Sequence, residues 1–386
     1  MHDNTRLIRS HVPHTSYGEH SSPLYLNSSF SFPDAESMQA AFEEGSEATV
    51  YSRYSNPNTD ELIDRLCILE NAEDGWVTAS GMAAIFTCFS ALLSQGDHIL
   101  ACRSVFGSTH QIFSTIFPKW GISHSYFDVN ATEENWEACL DKNTKVLFIE
   151  SPTNPALELL DIEALGSFAK KHNLIFVVDN CFATPILQKP LNLGADLVVH
   201  SMTKFIDGQG RVLGGVILGK KELIKEIGAF ARHSGPSLSP FHAWLLSNSL
   251  ETFELRVREK SKNAHWIAEQ LESHPGISSL NYPHLPSHPQ YDLAIKQMKY
   301  GGALFCFELK GGLEAGANFL NKLSICSLTT NLGDCKSIAS HPASTTHSKL
   351  TEQERLAVGI SPGLIRISVG LEHPEDILND ILNALA

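Results

Sequence analysis

Short, almost wholly apolar segments alternate with amphipathic helical segments through the middle of this 386-residue chain. The clearest apolar segments are LIFVVDN at 174–180 and ADLVVH at 195–200, and an amphipathic segment, DIEALGSFAKKHN, starts at Asp161 just before them. A strand that is apolar on both faces must be covered on both faces, as in a parallel sheet with helices above and below. The pattern therefore predicts an α/β fold built on a mostly parallel sheet.

The remaining segments extend this prediction. Further strands are expected at HILAC, TKVLFIE and VLGGVILG, and then at ALFCFEL, SICSLTT and LIRISVG. Helices are expected at ELIDRLCILE, capped by Asp60, at GMAAIFTCFSALL, and in one long stretch from about 238 to Pro275. We predict a polar arm over 1–60 that contacts a neighbouring subunit, a large domain over 61–250 and a smaller α/β domain over 251–386.

Composition narrows the possible functions. A formal net charge of -14 argues against nucleic acid as a partner, because phosphate neutralisation needs a basic surface. The chain contains no run of about 18 apolar residues, so no membrane span is predicted. Its N-terminus lacks the apolar core of a signal peptide. The eight cysteines form no CxxC pair and indicate reduced thiols in a cytoplasmic protein. The scattered histidines lack metal-ligand spacing, so no metal is expected.

Two ionisable residues stand at or just beyond predicted strand ends. Asp179 follows five apolar residues, where a carboxylate is costly to bury without a cationic partner such as a protonated ring nitrogen. Lys204 lies in HSMTK, a few residues beyond the next strand, with hydroxyls at Ser201 and Thr203. A lysine in a partly desolvated pocket has a lowered pKa and can act as a nucleophile. Because parallel strands end at one edge of the sheet, the two side chains are predicted to face one cleft.

A phosphate site is predicted at Ala79, Ser80, Gly81 and Met82, immediately before a helix that starts near Ala83. Free backbone N–H groups at a helix N-terminus bind phosphate, and glycine permits close approach. Each of these signals is common by itself. Their combination in one chain is far more specific.

From YSRYSNP to LIRISVGLE the chain resembles the Cys/Met-metabolism family of pyridoxal-phosphate enzymes. The resemblance implies an aspartate-aminotransferase-like fold of type I, with a mostly parallel seven-stranded sheet in the large domain and a smaller C-terminal α/β domain. The segments that carry it are SVFGST, ESPTNP, DNCFATP, HSMTKFIDGQGRVLGG, TTNLGD and HPASTTH.

The resemblance also implies roles for individual residues. Lys204 would attach pyridoxal 5'-phosphate as a Schiff base and move protons, and Asp179 would pair with the ring nitrogen. The other implied cofactor contacts are Gly81, Met82, Ser201 and Thr203 at the phosphate, Phe106 over the ring, Asn154 at the ring hydroxyl, and Tyr51 and Arg53 at the phosphate of a neighbouring subunit. Arg366, Asn331 and Leu332 would hold the substrate carboxylate. The shared site implies a homo-oligomer, expected to be a tetramer.

Departures from the family pattern bear on the activity. Phe106 stands where cystathionine synthases and lyases place a tyrosine, and phenylalanine cannot exchange a proton. Gln111 stands where many synthases have arginine, and Thr330 lacks the carboxylate that many synthases and lyases carry before the asparagine. Cys181 replaces the usual threonine of DNT and is interpreted as a small packing residue. These features favour replacement of the succinyl group of O-succinylhomoserine by sulfide.

Several alternatives stay open on the sequence. Cysteine in place of sulfide would make the enzyme a cystathionine γ-synthase, and an acetyl ester could replace the succinyl ester. A cystathionine γ-lyase is disfavoured by the same departures. A silent homologue acting as a scaffold is a different class, and it conflicts with the complete set of cofactor residues. A nucleotide-binding protein is disfavoured because GQGRVLGG follows the lysine and opens no helix.

Overall fold

The computed structural model describes residues 2–10, 15–43, 46, 48–345, 348, 351–356 and 359–386. A large sheet contains the strands β1 (Asp74–Thr78), β2 (His98–Cys102), β3 (Ser123–Phe127), β4 (Thr144–Glu150), β5 (Ile175–Asp179), β6 (Leu197–Ser201) and β7 (Gly215–Gly219). Their order is β1-β7-β6-β5-β4-β2-β3. Only β7 runs antiparallel to its neighbours, so the predicted mostly parallel seven-stranded sheet is confirmed.

A smaller sheet follows in the chain. Its strands are β8 (Ile277–Asn281), β9 (Leu304–Leu309), β10 (Ser327–Leu328), β11 (Ile338–Ser340) and β12 (Leu364–Ser368). They are ordered β10-β11-β12-β9-β8, and only the β10–β11 pair is parallel. Within the predicted strand SICSLTT, only Ser327 and Leu328 pair with a neighbouring strand, as β10. β1, β3, β8 and β11 were not predicted, because their mixed polar sequences carry no long apolar run.

Helices cover the sheets. They are α1 (Asp3–Arg9), α2 (Ala35–Ala40), α3 (Pro57–Glu70), α4 (Gly81–Leu92), α5 (Gly107–Gln111), α6 (Glu133–Ala138), α7 (Ile162–Lys171), α8 (Thr184–Leu187), α9 (Lys221–Ser234), α10 (Pro240–Leu250), α11 (Phe253–Leu271), α12 (Tyr291–Gln297), α13 (Gly312–Lys322), α14 (Glu352–Leu356) and α15 (Pro374–Leu385). A π-helical turn at 112–116 and 3₁₀ turns at 117–120, 190–193 and 342–344 complete the set. Among the described residues, none of the helices is long and apolar enough to cross a membrane.

Two helix predictions need correction. Asp60 does not cap its helix, because α3 begins three residues earlier at Pro57 and Asn56 is the cap. The side chain of Asn56 accepts from the Asn58 N–H, and proline suits the first helical position. The long stretch from 238 is two helices, α10 and α11, separated at 251–252.

The N-terminal segment is not extended throughout. Its first helix, α1, inserts Leu7 into the apolar core, where that side chain is fully buried beside Leu62. Arg65 of α3 donates a hydrogen bond from Nε to the Ser10 carbonyl at 2.8 Å. The start of this segment therefore packs on its own chain. Contact of the 1–60 arm with a neighbouring subunit, and the boundary at 250, remain predictions.

The apolar cores are distributed so that one of them joins the two sheets. One core packs α4 against β2, β4, β5 and β6, and a second packs α7 against the other face. A third lies between the small sheet, α11 and α15. The joining core contains side chains of the large sheet together with Leu304, Cys306 and Leu364 of the small one. This packing brings β12 against the carboxyl ends of the large sheet.

Candidate active site

Three neighbouring parallel strands end together and present polar groups on one face. β4 ends at Glu150, β5 at Asp179 and β6 at Ser201. Glu150 is the register partner of Asp179, and Asp179 is the register partner of Val199. Val199 lies in the core beneath α4. Because side chains alternate between the two faces of a strand, Ser201 points to the same face as Val199, and so do the register partners Asp179 and Glu150. Glu150, Asp179 and Ser201 therefore lie side by side at the sheet edge where the cleft is predicted.

The Asp179 carboxylate is partly buried at the end of β5 and has one backbone hydrogen bond. Its Oδ1 accepts a hydrogen bond from the Cys181 backbone N–H at 3.0 Å. Burial raises the pKa of Asp179 to about 6, against smaller opposing effects of that hydrogen bond and of His200. A cationic ring nitrogen beside this carboxylate would stabilise its ionised form.

Lys204 lies on the loop after β6. Its Nζ donates to Asn331 Oδ1 at 2.7 Å. The lysine therefore contacts the TTNLGD segment, as is expected if both belong to one site. Burial lowers the pKa of Lys204, and the nearby Arg366 guanidinium lowers it further. A lysine that loses its proton more readily is a better nucleophile and base.

Arg366 points into the protein from β12 and is 5% exposed. Its Nη1 donates to Asn154 Oδ1 at 2.7 Å, and its Nη2 donates to the Asn331 carbonyl at 3.4 Å. Its Nε is buried without a hydrogen-bond partner among the described residues. A buried guanidinium with an unused N–H is suited to a carboxylate ligand. Leu332 differs, because its side chain is buried in the joining core and only its backbone could contact a substrate.

The predicted phosphate cradle is a close contact between α4 and β6. A Cβ added at Gly81 would lie 2.6 Å from Ser201 Cβ, so only glycine allows this approach. Ser80 caps α4 by accepting from the Ala83 N–H at 3.1 Å. The Met82 side chain packs on the apolar core, so only its backbone N–H could contact a phosphate. The Thr203 hydroxyl accepts from the Gly214 N–H at 3.1 Å.

Glu150 belongs to this site and was not predicted. Its Oε2 accepts from the Phe106 N–H at 2.9 Å and so holds the residue expected over the ring. Phe106 precedes the first turn of α5 and is 37% exposed. Burial raises the pKa of Glu150, and the neighbouring Asp179 raises it further. The sequence signal was a carboxylate ending an apolar strand, the same signal that identified Asp179.

The remaining predicted residues lie at the edges of the site or apart from it. Burial raises the pKa of the Cys181 thiol, which favours the neutral packing role. The Arg53 guanidinium lies 4.8 Å from the Tyr54 ring centroid and 5.5 Å from that of Tyr51, and it donates to the Arg232 carbonyl. A role of Tyr51 and Arg53 at a neighbouring subunit's phosphate therefore stays a prediction. The last two residues of HPASTTH, 346 and 347, lie outside the described residues.

Replacing Glu150 by glutamine is expected to stabilise the cofactor-free protein at alkaline pH. The raised pKa of Glu150 means that its contribution to stability is present at acidic pH and is lost as pH rises through that pKa. Glutamine keeps an acceptor for Phe106 and carries no charge. The free energy of unfolding should therefore exceed wild type by about 1–2 kcal/mol at pH 8, with the difference closing at acidic pH.

Chemical denaturation across the pH range measures this difference. Glu314→Gln is the matched control, because Glu314 is exposed on α13 and should show no comparable pH-dependent gain. A Glu150→Gln protein less stable than wild type at pH 8 would contradict the prediction.

The arrangement fits pyridoxal phosphate. The partly buried carboxylate at Asp179, the partly buried lysine at Lys204 and the close glycine contact at the start of α4 suit its ring nitrogen, aldehyde and phosphate. The unpaired Nε of Arg366 adds a site for an amino-acid carboxylate.

Comparisons with known proteins agree. A profile of the family described as "Cys/Met metabolism PLP-dependent enzyme" matches residues 4–386. An O-succinylhomoserine sulfhydrylase of Pseudomonas aeruginosa is 45% identical over 383 residues, covering 99% of this chain and 95% of its own. An L-methionine gamma-lyase of Porphyromonas gingivalis is 40% identical, covering 99% and 96%.

A solved structure is also similar over its full length. It is a Campylobacter jejuni protein provisionally assigned as an O-acetylhomoserine (thiol)-lyase, with a TM-score of 0.95, 33% identity and 100% of both chains covered. That structure holds N'-pyridoxyl-lysine-5'-monophosphate.

Proposed function

This chain belongs to the Cys/Met metabolism family of pyridoxal-phosphate-dependent enzymes, and on that premise we propose that it is an O-succinylhomoserine sulfhydrylase. The reaction replaces the succinate of O-succinylhomoserine by sulfide and gives homocysteine for methionine biosynthesis. The observation that carries the proposal is Phe106, which places a ring without a hydroxyl beside the site. The name of the P. aeruginosa relative supports the same activity.

The chemistry that the cofactor supplies when bound is an electron sink for negative charge at the substrate α-carbon. Lys204 is then the group that removes the α-proton and returns it, since its pKa is lowered and no tyrosine stands at Phe106. Loss of a second proton from Cβ allows the Cγ–O bond to break, with its electron pair leaving on succinate. Sulfide then forms the new C–S bond at Cγ, and protons return to Cβ and Cα. Asp179 would hold the ring nitrogen in its protonated form.

Substrate orientation is assigned to Arg366. Its guanidinium, held by Asn154 and Asn331, binds the α-carboxylate and fixes the amino acid relative to Lys204. Tyr51 and Arg53 of the arm are proposed to complete the phosphate site of a neighbouring copy, which makes the active enzyme a homo-oligomer, proposed to be a tetramer.

Two other activities are alternatives within the family. Cystathionine γ-synthase would use cysteine as the nucleophile, and it is disfavoured by Phe106, Gln111 and Thr330. Methionine γ-lyase is favoured by the P. gingivalis relative, whose identity of 40% is only slightly below that of the sulfhydrylase. It needs no nucleophile other than water.

Purified enzyme given O-succinylhomoserine with equimolar sulfide and cysteine should form homocysteine at least tenfold faster than cystathionine. O-acetylhomoserine and methionine are tested in parallel, and Lys204→Ala is the matched inactive control. Faster cystathionine formation would identify a γ-synthase, and release of methanethiol from methionine as the fastest reaction would identify a γ-lyase. Faster turnover of the acetyl ester would keep sulfhydrylation and change the substrate.

A further inference from the structure

A buried polar network lies behind the candidate active site, on the opposite face of the large sheet. Asp179 shares the α4 face with Val199, its register partner. His200 is the next residue and points to the other face, where its register partner Val216 lies in the joining core with side chains of α3. The Asp179 carboxylate and the His200 imidazole therefore lie on opposite faces of the large sheet, on the neighbouring strands β5 and β6.

Glu70 is the centre of this network. It is the last residue of α3 and is fully buried, as His200 nearly is. Glu70 Oε1 lies 2.6 Å from His200 Nε2 and accepts from Asn180 Nδ2 at 3.0 Å. A buried carboxylate this close to a buried imidazole is stabilised when the imidazole carries the proton between them.

Asn180 connects Glu70 to the cofactor side. It directly follows Asp179, and its backbone N–H donates to the Val199 carbonyl at 3.1 Å. Its side chain also donates to the Gln188 carbonyl and accepts from Gln188 Nε2, both at 3.0 Å. With every side-chain atom of Asn180 bound, the turn that carries Asp179 has little freedom to move.

We propose that Glu70 and His200 form a positioning pair that fixes Asp179 against the cofactor ring nitrogen, Glu70 through Asn180 and His200 through its charge. Positive charge on the His200 side of the sheet would lie nearer to the carboxylate than to the ring nitrogen. It therefore favours the arrangement in which Asp179 is the anion and the ring nitrogen keeps the proton. The pair concerns the cofactor that the whole family uses, so it is independent of which nucleophile the enzyme takes.

The other charged and titratable groups around Asp179 do not replace this effect. Glu150 on β4 is a second carboxylate and opposes ionisation of Asp179. Cys181 has a neutral thiol, because burial raises its pKa, and Lys204 lies on the loop beyond β6. His200 is the group that acts in the required direction, since it lowers the pKa of Asp179 against the larger effect of burial.

The test compares how tightly two cofactors bind to the Glu70→Gln variant and to wild type. Glutamine can keep both hydrogen bonds of Glu70 but removes its negative charge and so the ion pair with His200. Pyridoxal phosphate should bind the cofactor-free variant about tenfold more weakly than wild type, a loss of about 1.4 kcal/mol. An analogue with carbon in place of the ring nitrogen should bind both proteins within about twofold. The absorption spectrum of the bound cofactor should report a larger unprotonated fraction of the ring.

The same two affinities are measured independently for His200→Gln. In an Asp179→Asn background, neither Glu70→Gln nor His200→Gln should weaken the binding of pyridoxal phosphate any further. Equal weakening of both cofactors would show a merely structural role and overturn the proposal. No weakening of either would overturn it as well, and so would failure of both variants to fold, because the pair would then act on the fold.

Discussion

Replacing Lys204 by alanine is expected to lower kcat about a thousandfold and to abolish covalent attachment of the cofactor. Alanine removes both the nucleophile that attaches the cofactor and the base that moves the proton. Removing a positioned general base alone lowers the rate about 10²–10⁴-fold. Lys204→Arg should fail equally, because arginine keeps the charge but does not deprotonate near neutral pH. Steady-state kinetics and borohydride reduction followed by peptide mapping measure the two effects.

The control for Lys204 is Lys220→Ala. Lys220 is half-exposed and pairs with Asp196 at 2.5 Å, and its replacement should leave kcat within about twofold. A borohydride adduct on any other lysine, or activity retained in Lys204→Ala, would contradict the assignment. Partial rescue of Lys204→Ala by a small primary amine is expected, because the pocket that holds Nζ beside Asn331 remains.

Replacing Arg366 by leucine is expected to lower kcat/KM about a hundredfold or more, mainly through a higher KM. Removing one partner of a buried, hydrogen-bonded charge pair costs about 2–5 kcal/mol. The free Nε and the contacts to Asn154 and Asn331 indicate that this guanidinium is held ready for a ligand. Arg366→Lys should restore part of the loss, since a single ammonium cannot reproduce bidentate binding.

The control for Arg366 separates ligand binding from the loss of a buried arginine. Arg65 is equally buried, but it pairs with Glu61 at 2.8 Å and donates to the Ser10 carbonyl in the N-terminal packing. Arg65→Leu should lower stability and leave KM near wild type. An unchanged KM in Arg366→Leu would show that the substrate carboxylate is bound elsewhere.

The parallel sheet and the main site residues could be predicted from local sequence. IFVVD and LVVHS are apolar enough that only burial on both faces accommodates them, and strand ends are where polar residues remain accessible. Asp179, Lys204 and Gly81 stood out for that reason. The start of α3 was misjudged because Asn56 and Pro57 form a stronger helix start than Asp60.

Other features depended on contacts between distant segments. Arg366 was as compatible with solvent as with the interior, because a residue in a strand has two possible faces and only the packing of β12 on the large sheet selects one. Glu70 gave the same ambiguous signal as many surface carboxylates, and the contact of Glu150 with Phe106 depended on packing although Glu150 ends an apolar strand as Asp179 does.

The sequence by itself therefore determined the fold class and identified Lys204 and Asp179 as candidate cofactor residues, because those properties follow from continuous hydrophobic runs and short motifs. The tertiary structure alone decided which buried polar groups meet. Asn331 reaches Lys204 across 127 positions of the chain, and Glu70 reaches His200 across 130. Such pairings depend on how helices and sheets pack, which no local pattern of residues encodes.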